Sequence, residues 1–364
     1  MGRLKAITIK EFWALLRDPK GRMALFIPPL MQMFLFSFAA TLEVRNVDIG
    51  LLDMSQGAYS QELVEQLSGS SNFRQIEVFH SPAELQQAIE QQQVIAAIVI
   101  EQDFDRRLTA GRPADIGVVL DGRRSNAAQI VAGYIMRIAS GIGADVRSLD
   151  PPETVRVINW FNPNLTYVWY NLPSLIVMLG AITSIAVTSQ SVSREREIGS
   201  FDQLMVSPLR VHEILLGKML PPLGVSLFNG LLFWVAAQVI FGVPFTGSFP
   251  LFFAALLLYN VALIGVGMFI SSLSQTQQQA FLGSFLVSVP IIMLSGFSSP
   301  VENMPEWFQL IDHVNPAMYF LPVSQGIFLK AMPASAVFDW MWPVAIIALV
   351  TLSAAAWLFR ARME

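Results

Sequence analysis

Long apolar runs separated by short polar segments dominate this chain. Met23 to Leu42 carries no charged residue and matches the roughly 20 residues that a helix needs to cross a bilayer. Five further runs are also long enough to span: Leu172–Val192, Met219–Gly242, Leu251–Leu273, Ala280–Ser299 and Trp340–Phe359. The pattern predicts an α-helical polytopic membrane protein with six transmembrane helices, the first over 22–42 and the others within 168–364.

The first apolar run has an alternative interpretation as a cleaved signal peptide. Ser37-Phe38-Ala39 would then supply the small-x-small cleavage site. The run is longer than the ~7–15 apolar residues usual in such peptides, and the region before it is too long. An uncleaved span is therefore the favoured prediction.

Residues 43–167 have a different pattern, in which short apolar segments alternate with polar helical ones. Four strand–helix pairs are predicted: Val47–Leu52 with Tyr59–Leu67, Ile76–Phe79 with Pro82–Gln92, Val94–Ile100 with Phe104–Ala110, and Asp115–Leu120 with Asn126–Arg147. Strands that alternate with helices indicate an α/β domain. This segment is predicted to be an α/β domain inserted between the first two spans.

Residues 1–21 are predicted to form an amphipathic helix. Four apolar residues fall at the spacing of one helical face, and lysine or arginine flanks them: Ile9, Phe12, Trp13 and Leu16. Such a helix is typical of the membrane interface. The alternative is an ordinary helix that packs on protein.

Composition argues against several classes of function. The chain of 364 residues is 54% hydrophobic and 14% charged, with a net charge of −4, which argues against a nucleic-acid partner. It has no cysteine, and its three histidines lie far apart. No phosphate-binding GxxxxGK[ST] motif occurs. The chain is therefore expected to bind no metal or cofactor and to be no enzyme.

Lysine and arginine indicate the orientation. They cluster in residues 1–22, in 193–218 and at the C-terminus, whereas the segment 243–250 has none. By the positive-inside rule, both termini and 193–218 lie in the cytoplasm and the α/β domain lies outside. Residues 300–335 would then form two short outer re-entrant helices, which protein must cover.

The five later spans, with these bounds, contain no Asp, Glu, Lys, Arg or His. Ion-coupled carriers usually need such residues as relays. Energy is therefore expected to arrive from outside the membrane core, through the charged segment 193–218. An ATP-independent carrier or channel and a transmembrane sensor with an outer domain stay open as alternatives.

Three motifs resemble the type-2 permease family of ABC exporters. Residues 193–209 read SREREIGSFDQLMVSPL, and Glu213 to Lys218 continue with EILLGK. Asn315-Pro316 precedes Tyr319-Phe320 and the GIFLK sequence that begins at Gly326. The outer segments around Asp53 and Ser81 are similar to the drug-exporter branch, so the resemblance covers essentially the whole chain.

The resemblance implies a half-transporter of the bacterial inner membrane. Such a permease pairs with a second permease subunit, identical or different, and with a separate ABC ATP-binding subunit that carries ATP and Mg. A periplasmic membrane-fusion adaptor is a further expected partner. The substrates expected are hydrophobic or amphipathic compounds.

The resemblance also assigns positions to functional segments. The residues expected to couple to the ATP-binding subunit, together with the interfacial helix, are Arg194, Glu195, Arg196, Glu197, Phe201, Asp202, Leu204 and Pro208. The outer re-entrant segment is marked by Asn315, Pro316, Tyr319 and Gly326.

Overall fold

The computed structural model describes residues 2–17, 19–39, 47–70, 72–121, 123, 125–146, 161–162, 166–201, 210–299 and 301–361. These residues form two compact units. The first comprises Met1–Ala40 with Asn159–Glu364, and the second comprises Thr41–Ile158.

The helices and strands follow one another in this order. The first part of the chain forms α1 (Gly2–Arg17), α2 (Pro19–Ala39), β1 (Val47–Asp53), α3 (Ala58–Ser68), β2 (Phe73–Val78), α4 (Pro82–Glu90), β3 (Ala96–Ile100), α5 (Phe104–Thr109), β4 (Ile116–Leu120) and α6 (Ser125–Val146). The second part forms α7 (Tyr167–Ile198), α8 (Val211–Val239), α9 (Phe249–Leu273), α10 (Gln277–Leu294), a 3-10 turn (Val301–Asn303), α11 (Glu306–Asp312), α12 (Pro316–Lys330) and α13 (Ala334–Ala361).

The first unit is a helical bundle typical of a polytopic membrane protein. Among the described residues, α7, α8, α9, α10 and α13 are long and apolar enough to cross a membrane. The apolar stretch of α2 is shorter and covers Leu25–Ser37. Five spans are thus supported by length and composition, and the sixth stays a prediction.

Helix α7 is the central helix of this bundle. It contacts α8, α9, α10 and α12, and most of its side chains are buried. The predicted apolar run ends at Val192, and the helix itself continues without a break to Ile198. Gly199 then ends it with φ 78°, a left-handed conformation that only glycine adopts without steric penalty. The charged residues of the motif up to Ile198 therefore belong to the same continuous helix as the apolar span.

Two polar side chains inside the bundle bond to neighbouring helices. Tyr259 on α9 stacks on Phe320 at 4.5 Å and donates its hydroxyl hydrogen to the Val177 carbonyl at 2.9 Å. Ser184 donates to the amide oxygen of Asn260 at 2.6 Å. Because an unpaired polar group is expensive in an apolar interior, these bonds fix how α7, α9 and α12 pack.

The second unit is built on a four-stranded sheet of order β2-β1-β3-β4. Strands β1, β2 and β3 run parallel, and β4 pairs antiparallel with β3. Ser81 caps α4, accepting a hydrogen bond from the Glu84 amide, as its position before Pro82 predicts. Strand β2 begins at Phe73 and not at Ile76, because the buried Phe73 extends an edge strand whose polar residues face outward.

Candidate coupling surface

Four alternating charges connect three helices at the end of the bundle where α7 stops and α8 begins. The Lys218 ammonium on α8 lies 2.5 Å from Glu195 Oε2 on α7 and 3.5 Å from Glu11 Oε1 on α1. Lys10 on α1 completes the set, with its ammonium 3.2 Å from Glu195 Oε1 and 3.4 Å from Glu11 Oε1. We call Lys10, Glu11, Glu195 and Lys218 the charged quartet.

The inner half of the charged quartet is withdrawn from solvent. Lys218 is 0% exposed and Glu195 is 8% exposed. Burial lowers the pKa of Lys10, but the carboxylates of Glu195 and Glu11 outweigh burial and raise it above its ordinary value. Lys10 therefore stays protonated at physiological pH. Burial of these charges is tolerated because each has an opposite partner.

The next two residues of the motif tie α7 to α9 and α10. Arg196 donates to the carbonyl oxygens of Ser272 and Ser274 at 2.9 and 3.2 Å, where α9 ends. Glu197 accepts hydrogen bonds from the Gln277 backbone and side-chain amides at 2.8 and 3.2 Å, where α10 begins. A cation at a helix C-terminus and an anion at an N-terminus complement the helix dipoles.

Phe201 points into this same cluster. Its ring lies 4.9 Å below the Arg196 guanidinium carbon, and it packs edge-on against Phe359 of α13 at 5.9 Å. The ring is only half-buried. Cation–π and aromatic contacts of this kind hold a side chain in one place. Phe201 therefore joins the C-terminal helix to the end of α7, and its predicted contact with a partner stays a prediction.

The other predicted coupling residues are Arg194, Asp202, Leu204 and Pro208. Arg194, the second residue of the motif, is half-buried. Asp202, Leu204 and Pro208 lie outside the described residues. The chain is described again from Arg210, whose backbone amide donates to the Glu213 carboxylate at 2.9 Å at the start of α8.

Helix α1 uses two different faces. Ile7 is buried against α8 so closely that a side chain at Gly217 would lie 2.3 Å from its Cγ2 atom. On the other face, Ile9, Phe12 and Trp13 are exposed; the side chain of Leu16 is not described. One face of α1 therefore packs on protein, and another is apolar and exposed, as an interfacial helix requires. The exposed apolar face is the one that the sequence pattern identified.

The charged quartet was missed by sequence reasoning. From the sequence, Lys10 flanks the apolar face of α1, Lys218 ends the EILLGK motif and Glu195 is a coupling residue, but nothing indicates that they contact one another or Glu11. One local signal was available: Lys218 lies where the apolar run of α8 begins, and a lysine there is almost never fully buried unless it is paired.

The predicted outer segment forms a second polar cluster at α11 and α12. Asn315 caps α12 through the Ala317 amide at 3.0 Å, and its amide group donates to Asp312 Oδ1 at 2.7 Å and the Ile291 carbonyl at 2.9 Å. Tyr319 donates its hydroxyl hydrogen to the His313 carbonyl at 3.1 Å. These bonds join α10, α11 and α12.

Pro316 and Gly326 shape α12 itself. Pro316 is at the first turn, where its missing amide hydrogen costs nothing. A side chain at Gly326 would lie 2.8 Å from the Met332 sulfur. Glycine here lets Met332 pack closely against α12 where the chain turns back toward α13.

Asp312 gives this cluster a pH dependence. Burial raises the pKa of Asp312, although the Asn315 hydrogen bond and nearby His313 act in the opposite direction. Because its folded-state pKa is raised, the folded protein holds this proton more tightly than the unfolded chain, and stability falls as pH rises from ~4 through the raised pKa.

Asp312→Asn should thus improve the thermal midpoint in detergent, relative to wild type, more at pH 7 than at pH 4. The exposed Asp339→Asn variant is the control, and a midpoint difference that does not change with pH would contradict the assignment.

These features define an integral membrane protein whose bundle carries a charged assembly at one end and a polar-capped helical hairpin at α11 and α12. The chain belongs to the ABC-2 family of transporter proteins, whose family model matches residues 23–357. It is thus a permease-type membrane subunit of the ABC transporters, and this family associates with an ATP-binding subunit.

Curated relatives agree with this assignment. The chain is 40% identical to the probable multidrug ABC transporter permease YbhR of Escherichia coli, over 99% of both chains. It is 27% identical to the probable multidrug ABC transporter permease YbhS, over 90% of this chain and 88% of the relative. It is 32% identical to the inner membrane transport permease YhhJ, over 68% of this chain and 67% of the relative. Both relatives are also from Escherichia coli.

Proposed function

We propose that this chain is the membrane-spanning half of an ATP-driven exporter. It moves hydrophobic or amphipathic compounds out of the cytoplasm or the inner membrane, and a separate subunit hydrolyses ATP with Mg. One set of contacts supports this proposal most directly. The charged quartet, Arg196 and Glu197 join five helices at one end of the bundle: α1, α7, α8, α9 and α10. A force applied beside these joined ends would move five helices together.

The direct contacts to the ATP-binding subunit are proposed to come from the adjoining segment 202–209. Asp202 would provide charge complementarity, which sets orientation, and Leu204 an apolar anchor, which supplies affinity. Pro208 would end that segment before α8. Glu195, Arg196, Glu197 and Phe201 would then transmit the force inward, because their contacts are with other helices of this chain.

The proposed topology has six spans, with α2 as the first. Both termini and the charged quartet face the cytoplasm, and the second unit is a periplasmic α/β domain. Lysine and arginine concentrated at one end of the bundle support this orientation. Helices α11 and α12 would re-enter the outer leaflet, where Asn315 caps the start of α12.

The proposed partners are a second permease subunit and a periplasmic adaptor, besides the bilayer. Helix α10 supports the membrane or subunit contact, because it exposes Phe281, Leu282, Phe285 and Leu286 on its surface. ATP and Mg are assigned to the partner subunit. Within the described part of the chain, no group of three or more His, Asp or Glu side chains is placed to hold a metal ion.

The proposal is tested by reconstituting the chain with its ATP-binding subunit in proteoliposomes. We expect Asp202→Arg with Leu204→Asp to lower ATP-dependent doxorubicin transport at least about tenfold, since ~1.4 kcal/mol of lost contact energy is one order of magnitude in affinity. Binding of the ATP-binding subunit should weaken in parallel. Glu302→Arg, an exposed charge reversal on the side proposed to be outside, is the matched control.

Two results would reject this function. One is full ATP-dependent transport by the Asp202→Arg, Leu204→Asp variant with partner binding unchanged. The other is doxorubicin transport by the chain alone in an ion gradient, which would instead establish the ATP-independent carrier.

A further inference from the structure

The second unit contains a cleft of about 690 Å³, within the ~300–1,000 Å³ range of small-molecule sites. Its walls come from the end of β1, the end of β2, one side of α3 and Gln102, which follows β3. The cleft therefore lies at the carboxyl edge of the three parallel strands.

The topology favours this edge as a binding site. After β1 the chain crosses to β2 on one side, and after β2 it crosses back to β3 on the other side of β1. In open α/β sheets, ligands bind outside the carboxyl ends of strands where the connections diverge in this way.

The loop after β1 is held in one conformation that forms a wall of the cleft. Asp53 Oδ1 accepts hydrogen bonds from the Ser55 and Gln56 amides at 2.9 and 3.0 Å. Asp105 on α5 binds the Ser55 hydroxyl at 2.8 Å and the Tyr59 amide at 2.7 Å. These bonds hold Gln56 at φ 50°, which a side-chain-bearing residue rarely adopts, and such residues cluster at ligand sites.

The lining indicates what kind of ligand fits. It combines two carboxylates, Asp53 and Glu65, with apolar surface from Met54, Val64, Val78 and Phe79. Met54 and Val78 are 45% and 57% exposed, so this apolar surface is open to a ligand. No lysine or arginine lines the cleft among the described residues. Both carboxylates would repel an anion, and only the neutral polar side chains of Gln56, Gln61, Gln102 and His80 could bind it, whereas a cation with an apolar body would contact both kinds of wall.

We propose that this cleft binds an amphipathic organic cation, with its charge near Asp53 and Glu65 and its apolar body against Met54 and Val78. The site is separate from the coupling surface. It does not depend on the proposed export function, because it lies entirely within the second unit.

Ethidium is a suitable probe because it is a flat aromatic cation whose fluorescence rises on entering an apolar site. We would titrate it into the full chain in nanodiscs of uncharged phospholipid, without the ATP-binding subunit, and subtract empty nanodiscs. The paired substitution Asp53→Asn, Glu65→Gln should raise the Kd at least about tenfold, because it removes both carboxylates from the cleft. Asparagine at position 53 keeps the oxygen that accepts the Ser55 and Gln56 amides.

A second variant and a matched control distinguish a loss of ethidium binding from misfolding. Val78→Lys, at an exposed wall position, should abolish saturable binding by placing a positive charge in the cleft. Glu62→Gln removes a carboxylate from α3 outside the cleft lining and should leave the Kd unchanged. The proposal is overturned if wild type shows no saturable binding, if both cleft variants bind as wild type does, or if Glu62→Gln weakens binding as much as they do.

Discussion

Lys218→Met is expected to lower the free energy of unfolding by about 3–5 kcal/mol, the range for removing one partner of a buried ion pair. The reason is the position of Glu195, which is 8% exposed and has the Lys218 ammonium 2.5 Å from its Oε2 atom. Methionine keeps most of the side-chain volume, so the loss comes from the uncompensated carboxylate. Chemical denaturation in detergent, followed by tryptophan fluorescence, measures the change.

The double variant Lys218→Met, Glu195→Gln separates charge from packing. It removes one charge of each sign and leaves Lys10 paired with Glu11 at 3.4 Å. We expect it to recover most of the lost stability, because a buried pair replaced as a whole is often nearly neutral. Lys5→Met, an exposed substitution on α1, should change stability by less than about 0.5 kcal/mol. A Lys218→Met variant as stable as Lys5→Met would show that the charged quartet contributes little.

Much of the architecture could be predicted from the sequence because its signals are local. The length of an apolar run fixes whether a helix can cross a bilayer, and α7, α8, α9, α10 and α13 all coincide with predicted runs. Helix starts such as Ser81-Pro82 depend on neighbouring residues only, and the structure has the predicted cap there.

Element ends were less predictable when polar residues continued a helix. The apolar run ends at Val192, whereas α7 continues through charged residues as far as Ile198 and stops at Gly199. Charge marks where a helix leaves the apolar layer, whereas α7 itself ends where Gly199 adopts the left-handed conformation.

The internal contacts of the candidate site could not be predicted, because they join distant parts of the chain. Lys10 and Glu195 are 185 residues apart in sequence, and Glu11 and Lys218 are 207 apart. A single sequence shows that Glu195 and Arg196 are charged, but not whether they face a partner or another helix. In the structure both make their described contacts within the bundle, which moves the proposed partner contact to residues 202–209.

Alanine at Gly265 and Gly267 is expected to separate α9 from α13 and α7. A Cβ atom at Gly265 would lie 2.3 Å from Thr351 Oγ1 and 3.0 Å from the Leu352 backbone nitrogen on α13. One at Gly267 would lie 2.7 Å from Thr188 Cβ and 3.1 Å from the Ile185 carbonyl on α7. Backbone atoms cannot rotate away, so the helices must move apart. Each substitution should cost about 1–3 kcal/mol from overpacking, against at most ~1 kcal/mol that alanine gains over glycine in a helix.

Gly180→Ala is the matched control for this pair of substitutions. It lies on α7 in the same bundle, but its Cβ atom would be 3.7 Å from Tyr259 Cε1, an ordinary contact distance. It should leave the thermal midpoint in detergent unchanged or slightly raised, whereas Gly265→Ala with Gly267→Ala should lower it by several degrees. If all three alanine substitutions had the same effect, helix propensity would explain the result. A loss confined to Gly265 and Gly267 would show that close approach of α9 to α7 and α13 holds the bundle together, as small residues do at helix interfaces in membranes.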